Sequence, residues 1–421
     1  MNLLTEIFRP VVAFVQVFFV LFGFQPVKQH QALPAEGPVN VMLTGLLGYG
    51  EDVGLSFAQP YFGTTQPFMD TCEALEAKGY ESYTADIGPF SSAWDRACEL
   101  YAILTGTRVD YGEAHSREYG HERYGRDYAK PLFEGWSAKR QVNLIGHSFG
   151  GTTARVFAML CDEGSAAERA ATSKAQRSPL FDGGLLNRIN AIVTLASPHN
   201  GSTAAICIPD DYCEIEFLWL IGGLNLMGNS RVVSRLYDLQ LDHFHISAPP
   251  RTFGQRRDGW YCVDDVRHFL QCRDNVLYDL SLDGAAKLNA ADKIRPGVKY
   301  LSYSSSLTKD VLGFQLPPLP NGFLGLFLWP FSVQMGLGLS KTPLPGPEWR
   351  ENDGAVPLPS AFYPAGQPHQ DAPAGPIPPG IWNVMPTVYG VNHSYLASGD
   401  PARQSAQEIL DLYLDIMERI G

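Results

Sequence analysis

Short apolar runs and longer amphipathic stretches take turns along this chain. Val39-Asn40-Val41-Met42-Leu43 is a compact apolar run that ends in Thr44-Gly45-Leu46-Leu47-Gly48-Tyr49-Gly50. An apolar run closed by glycine reads as a buried strand. Ser82-Tyr83-Thr84-Ala85, Val142-Asn143-Leu144-Ile145 and Ile189-Asn190-Ala191-Ile192-Val193-Thr194-Leu195 give the same reading. Between these runs the period lengthens. A helix is predicted around residues 71–79. A second follows Ser91 and Ser92, which offer an N-cap, because Ala97, Leu100, Tyr101 and Leu104 fall at the i, i+3, i+4, i+7 spacing of one buried stripe. A helix follows Gly150, and a last one spans residues 402–420. Strands alternating with helices predict a mostly parallel sheet covered by helices on both faces.

Three stretches break the alternation. Residues 11–24 (VVAFVQVFFVLFGF) are apolar but shorter than the roughly 20 residues that span a bilayer. They suit a secretory signal or short anchor, so residues 1–36 are expected to be a targeting or anchoring segment with linker, and 37–421 the folded domain. The protein is thus expected to be secreted or membrane-anchored, with an intracellular location still open. Residues 214–227 (EIEFLWLIGGLNLM) carry a Gly-Gly hinge in an apolar run and are expected to form part of a lid at about 206–235. Residues 311–339, rich in Gly, Pro, Leu and Phe, are expected to wall a cleft.

Composition narrows the partners. With 45% hydrophobic and 18% charged residues the chain is globular, and a net charge of −12 without any Lys/Arg block argues against nucleic acid or a polybasic membrane patch. No obligatory protein partner is evident. Of the seven cysteines, Cys207/Cys213 and Cys262/Cys272 lie close enough in sequence to staple loops in an exported protein. Cys72, Cys98 and Cys161 fall in helical patterns and are expected to be buried thiols.

Gly146-His147-Ser148-Phe149-Gly150 sits between an apolar strand and a helical pattern. That context makes Ser148 a candidate nucleophile on a strained strand-to-helix turn; the bland alternative is a serine that merely caps the helix. A serine hydroxyl needs a base, and the base needs an orienting carboxylate. Asp353, in Asn352-Asp353-Gly354, and His393, in Val391-Asn392-His393-Ser394, follow in the order Ser, acid, His. His369, in a Pro/Gln-rich loop, is a weaker candidate base. The oxyanion donors are expected to be the backbone N–H groups of Phe149 and Leu46.

These motifs, together with Gly88-Pro89-Phe90-Ser91-Ser92, Trp94-Asp95-Arg96-Ala97-Cys98-Glu99, Tyr119-Gly120-His121, Ser197-Pro198-His199-Asn200-Gly201, Tyr278-Asp279-Leu280 and Trp382-Asn383, resemble the thermoalkalophilic bacterial lipases of the Geobacillus and Staphylococcus type. The resemblance implies an α/β-hydrolase fold with a small zinc-binding insertion (about 91–130 and 250–282) and a helical lid. It implies a triacylglycerol lipase acting through an acyl-serine at a lipid–water interface. It places a structural Zn²⁺ on Asp95, His115, His121 and Asp279, two imidazoles and two carboxylates that would fill a tetrahedral site. The family's calcium site is altered here: Asp400-Pro401 is present, but Tyr395 stands where a Glu is expected, so a Ca²⁺ site would lack a charged ligand. The family's usual His-Gly in the oxyanion loop is Thr44-Gly45 here, which keeps the backbone donor but lacks the loop support and hydrogen bond that the imidazole would give. Two other readings remain at this stage: a short-chain carboxylesterase or phospholipase, and a catalytically inactive hydrolase fold used for interaction.

Overall fold

The computed structural model describes residues 37–50, 60–65, 67–204, 237–246, 263–320, 322–339, 343–400 and 405–421. The expected targeting segment (1–36) and lid (206–235), and with them Cys207, Cys213 and Cys262, lie outside the described residues. Among the described residues no helix is long and apolar enough to cross a membrane.

Seven parallel strands form the central sheet: β1 (Val39–Leu43), β2 (Ser82–Ala85), β3 (Val142–His147), β4 (Ile189–Leu195), β5 (Lys299–Tyr303), β6 (His369–Asp371) and β7 (Trp382–Val384), in the order β6-β7-β5-β4-β3-β1-β2. Successive side chains of a strand point to opposite faces, and the core divides accordingly. Val39, Val41 and Leu43 pack on one face with Leu144, Ile192 and Tyr300, whereas Met42 packs on the other with Ile145, Val193 and Leu301. Helices α2 (Ala93–Thr105) and α4 (Phe149–Glu163) cover the first face; α1 (Thr71–Glu76) and α6 (Ala406–Ile420) cover the second. Continuous apolar runs are what a sheet buried on both faces requires.

Helix starts follow the predicted chemistry. The Ser92 hydroxyl accepts from Asp95 N–H at 3.1 Å and sets the first turn of α2. α3 (Glu113–Tyr119) ends at Gly120 in the left-handed region, φ +75°. α5 (Gly322–Leu337) is preceded by a hairpin of Lys309–Val311 and Phe314–Leu316. Cys72, Cys98 and Cys161 are buried, as expected.

The order of strands fixes where a site can form. From β1 the chain steps outward to β2, then returns to β3 on β1's other side and proceeds through β4 to β5. Loops after β1 and β3 therefore diverge and leave a crevice at the carboxyl ends of these two strands, the usual ligand position in open α/β sheets.

Candidate active site and metal centre

Ser148 stands at that crevice, directly after β3. Its backbone lies at φ +55°, ψ −127°, a region that costs a non-glycine residue of order 1–3 kcal/mol. The turn is possible only because the residues two positions away on either side lack side chains. A Cβ on Gly146 would lie 2.3 Å from Gly150 C, and one on Gly150 would lie 2.1 Å from the Leu43 carbonyl oxygen. Ser148 makes no side-chain cap on α4, so the capping reading of this serine fails.

Asp353 is fully buried, and each carboxylate oxygen takes two donors. Oδ1 accepts the N–H groups of Ala355 (3.0 Å) and Val356 (2.8 Å); Oδ2 accepts the Ser305 hydroxyl (3.0 Å) and His393 Nδ1 (2.9 Å). Burial alone would raise its pKa, but the His393 pairing and the two N–H donors bring it below the ordinary value. His393 and Ser148 line one cavity of about 990 Å³ including its mouth, with Leu46, Leu328, Phe331 and Val356 among its apolar walls. The stretch 311–339 thus does contribute wall, through α5. His369 lies apart on β6, stacked on Tyr363 at 3.6 Å.

The backbone N–H groups of Leu46 and Phe149 take no protein acceptor among the described residues. Support for the first of these loops comes from a residue that no local pattern marks. Arg96, buried on α2, donates through Nη1 to Gly88 O (2.9 Å) and Gly45 O (3.4 Å), through Nη2 to Thr44 O, and through Nε to Thr153 Oγ1 (2.9 Å). In a trans peptide the C=O and the next N–H point in opposite directions. Holding Gly45 C=O against Arg96 therefore turns Leu46 N–H away from α2. Burial lowers the Arg96 pKa to about 10, which leaves it charged at neutral pH.

A second cluster lies beside α2. Asp95, His115, His121 and Asp274 bring one ligand atom each within 4.8 Å of one another. Asp279, expected in this set, is not a member. Its Oδ2 instead accepts Ala93 N–H at 2.7 Å and caps the start of α2, and burial pushes its pKa up to about 7. Asp274 occupies the fourth position. His115 Nε2 is 3.3 Å from Asp95 Oδ1 and 3.1 Å from Asp274 Oδ2, and His121 Nε2 is 3.1 Å from Asp274 Oδ2. A tetrahedral ion with bonds of roughly 2.0–2.1 Å has ligand–ligand edges of about 3.3–3.4 Å. His121 Nδ1–H donates to Glu122 O at 2.9 Å, which leaves the Nε2 lone pair facing the cluster. Asp95 Oδ1 and His121 Nε2 are buried without a hydrogen-bond partner. A cation at the centre would satisfy both, so these residues fit a metal ion.

The profile of the family described as "Lipase-like, C-terminal domain" matches residues 36–420. The chain belongs to this lipase-like family. Lipase 2 of Staphylococcus aureus is 33% identical over 382 residues, covering 88% of this chain and 51% of that protein. The chain thus spans about half the length of the curated relatives it matches. Among solved structures, Staphylococcus hyicus lipase superposes with a TM-score of 0.78 at 28% identity, covering 93% of this chain and 97% of that one. Lipase 1 from Pelosinus fermentans gives 0.71 at 30% identity, covering 90% and 98%.

Proposed function

We propose that this protein is a carboxylic ester hydrolase of the triacylglycerol lipase type, with Ser148, His393 and Asp353 as its catalytic residues. The observation that carries the reading is His393, paired with the buried Asp353, lining the same cavity as the strained Ser148. Ser148 Oγ attacks the ester carbonyl carbon while His393 Nε2 takes its proton. The negative charge on the carbonyl oxygen meets the N–H groups of Leu46 and Phe149. Collapse breaks the bond to the alcohol oxygen, which leaves with the proton from His393. Water, deprotonated by the same imidazole, then attacks the acyl-serine; the bond to Ser148 Oγ breaks, the serine regains its proton from His393, and the fatty acid leaves. Asp353 accepts the Nδ1–H throughout and stabilises the imidazolium.

Two features support a water-insoluble substrate. The cavity wall is largely apolar. Residues 311–340 contain no Asp, Glu, Lys, Arg or His, and within them Leu312 (94%) and Leu319 (87%) stand almost fully exposed, with Phe314 and Leu326 exposed beside them. The helix that presents Leu326 to solvent also lines the cavity through Leu328 and Phe331. An exposed apolar surface on the helix that also lines the cavity suits a lipid–water interface. The apolar segment 11–24 further supports export or anchoring.

We also propose Zn²⁺ as the ion of the Asp95–His115–His121–Asp274 cluster. When bound it supplies a positive charge to two buried carboxylates and ties α2, α3 and the 274 loop together. Four protein ligands leave no open position, so its role is structural.

A p-nitrophenyl ester series from acetate to palmitate, with emulsified triacylglycerol beside it and S148A as control, tests the function. Turnover of the long-chain esters is expected. Activity confined to acetate and butyrate would replace the lipase reading with a carboxylesterase, and no fluorophosphonate adduct on folded protein would leave an inactive fold.

A further inference from the structure

The residue before the nucleophile has no part in the three-residue relay, yet its ring is polar, buried and fully bonded. His147 is 3% exposed, and burial pushes its pKa down to about 3, so it is neutral at working pH. Its Nε2 lies 2.9 Å from the carbonyl oxygen of His393. A carbonyl only accepts, so Nε2 carries the hydrogen and Nδ1 holds a lone pair. Tyr61 Oη lies 2.8 Å from that Nδ1 and therefore donates to it. The Tyr61 oxygen in turn accepts Gly45 N–H at 2.9 Å. Every member of the chain from Gly45 to His393 then has an assigned direction: Gly45 N–H to Tyr61, Tyr61 O–H to His147, and His147 Nε2–H to the main chain of His393.

We propose that Tyr61 and His147 are positioning residues that lock the oxyanion loop to the main chain of the catalytic histidine. The proposal rests on the Ser148–His393–Asp353 reading above and extends it to two residues that touch neither proton nor oxyanion. Gly45 is the residue whose carbonyl Arg96 holds, and a Cβ built on it would lie 3.1 Å from Ser148 Oγ. Tyr61 fixes the N–H on the other side of the same residue. Both peptide planes around Gly45 are then set, and with them the aim of Leu46 N–H. At the far end, His393 is held by its own N–H on Asp353 O (2.9 Å) and by its C=O on His147. The link passes through His147, whose backbone adjoins Ser148, so donor, nucleophile and base are registered to one another behind the cavity. A displacement of about 1 Å in such a constellation costs roughly 10²-fold in rate.

The experiment compares wild type, Y61F, H147N and H147Q on a soluble p-nitrophenyl ester, with kcat, KM and the pH profile of kcat/KM. Y61F removes both hydrogen bonds of the phenol while keeping its ring in the cavity wall. Asn at 147 retains an acceptor near the Nδ1 position and keeps the Tyr61 end; Gln reaches the Nε2 position and keeps the His393 end. Y61F is expected to lower kcat by roughly 10- to 100-fold, with KM within about threefold of wild type and the pH midpoints unmoved. Each His147 variant is expected to fall between. A folded Y61F with kcat within twofold of wild type overturns the proposal, as does a loss confined to KM, which would make Tyr61 a wall residue only. If Y61F does not fold, wild-type kcat in both His147 variants overturns it instead. Absence of turnover in the wild type would strike the underlying triad reading, a separate result.

Discussion

His393 and Asp353 are joined twice: Nδ1 to Oδ2 at 2.9 Å between side chains, and N–H to C=O at 2.9 Å between main chains. The second bond holds the imidazole in place even when the first is altered. In D353N the two backbone donors from Ala355 and Val356 keep the amide oxygen at the Oδ1 position, which sends the NH2 toward His393 Nδ1. The ring must then accept there and carry its hydrogen on Nε2, where it cannot take the serine proton. Loss of about 10³- to 10⁴-fold in kcat is expected, with circular dichroism unchanged. Activity within tenfold of wild type would remove Asp353 from its role.

Burial of His147 has a consequence for stability as well. An unfolded histidine titrates near about 6.5, whereas His147 is held down to about 3 in the fold. Between these values the unfolded chain binds a proton that the native protein does not. Stability is therefore complete above about pH 6.5 and falls as the pH drops toward 3, by at most about 1.4 kcal/mol per pH unit for this one group. H147Q has no such group. Its melting temperature is expected to decline less steeply than that of wild type between pH 6.5 and 4 in matched thermal scans.

β1, β3 and β4 were legible because they are buried almost along their whole length and read as mostly apolar runs. β5 to β7 escaped this reading for opposite reasons. Lys299-Tyr300-Leu301-Ser302-Tyr303 interleaves polar residues with apolar ones, and His369–Asp371 is an exposed edge strand with no apolar face at all. Ser148, Asp353 and His393 each sit in a recognisable local context. Tyr61 and Arg96 do not: their value lies in bonds to Gly45 across 16 and 51 residues of chain, which no local pattern encodes. The ligand that the resemblance placed on Asp279 falls instead on Asp274, which no local pattern marked. Both precede or occupy one short helix (Val276–Leu280), and only packing decides which carboxylate faces the histidines.

That choice separates two variants. D274N replaces the carboxylate nearest both imidazoles with a neutral, weaker ligand, whereas D279A removes the cap on Ala93 N–H. D274N is expected to lose the metal, seen as a fall from about one ion per chain to a small fraction and a melting temperature insensitive to chelator. D279A is expected to retain the ion and lose roughly 0.5–2 kcal/mol, the usual worth of a helix cap. Metal analysis showing full occupancy in D274N and none in D279A would restore the original assignment.

Leu312 is set against both its backbone and its solvent. It sits at φ +55° next to Gly313 at φ +85° in the hairpin turn, a pair of positive angles that favours Asn-Gly, and its side chain is 94% exposed. Asparagine tolerates that conformation better, and a leucine in it costs of order 1 kcal/mol. L312N is therefore expected to raise the melting temperature slightly while lowering hydrolysis of emulsified triacylglycerol. Full burial of a leucine is worth roughly 1.5–3 kcal/mol, so partial insertion at an interface predicts a loss of severalfold in emulsion activity. Hydrolysis of soluble p-nitrophenyl butyrate should not change, because Leu312 does not line the cavity. The two effects have opposite signs, so general destabilisation cannot imitate them. Equal loss on soluble and emulsified esters, or no loss on either, would mean that the hairpin tip does not meet the lipid surface.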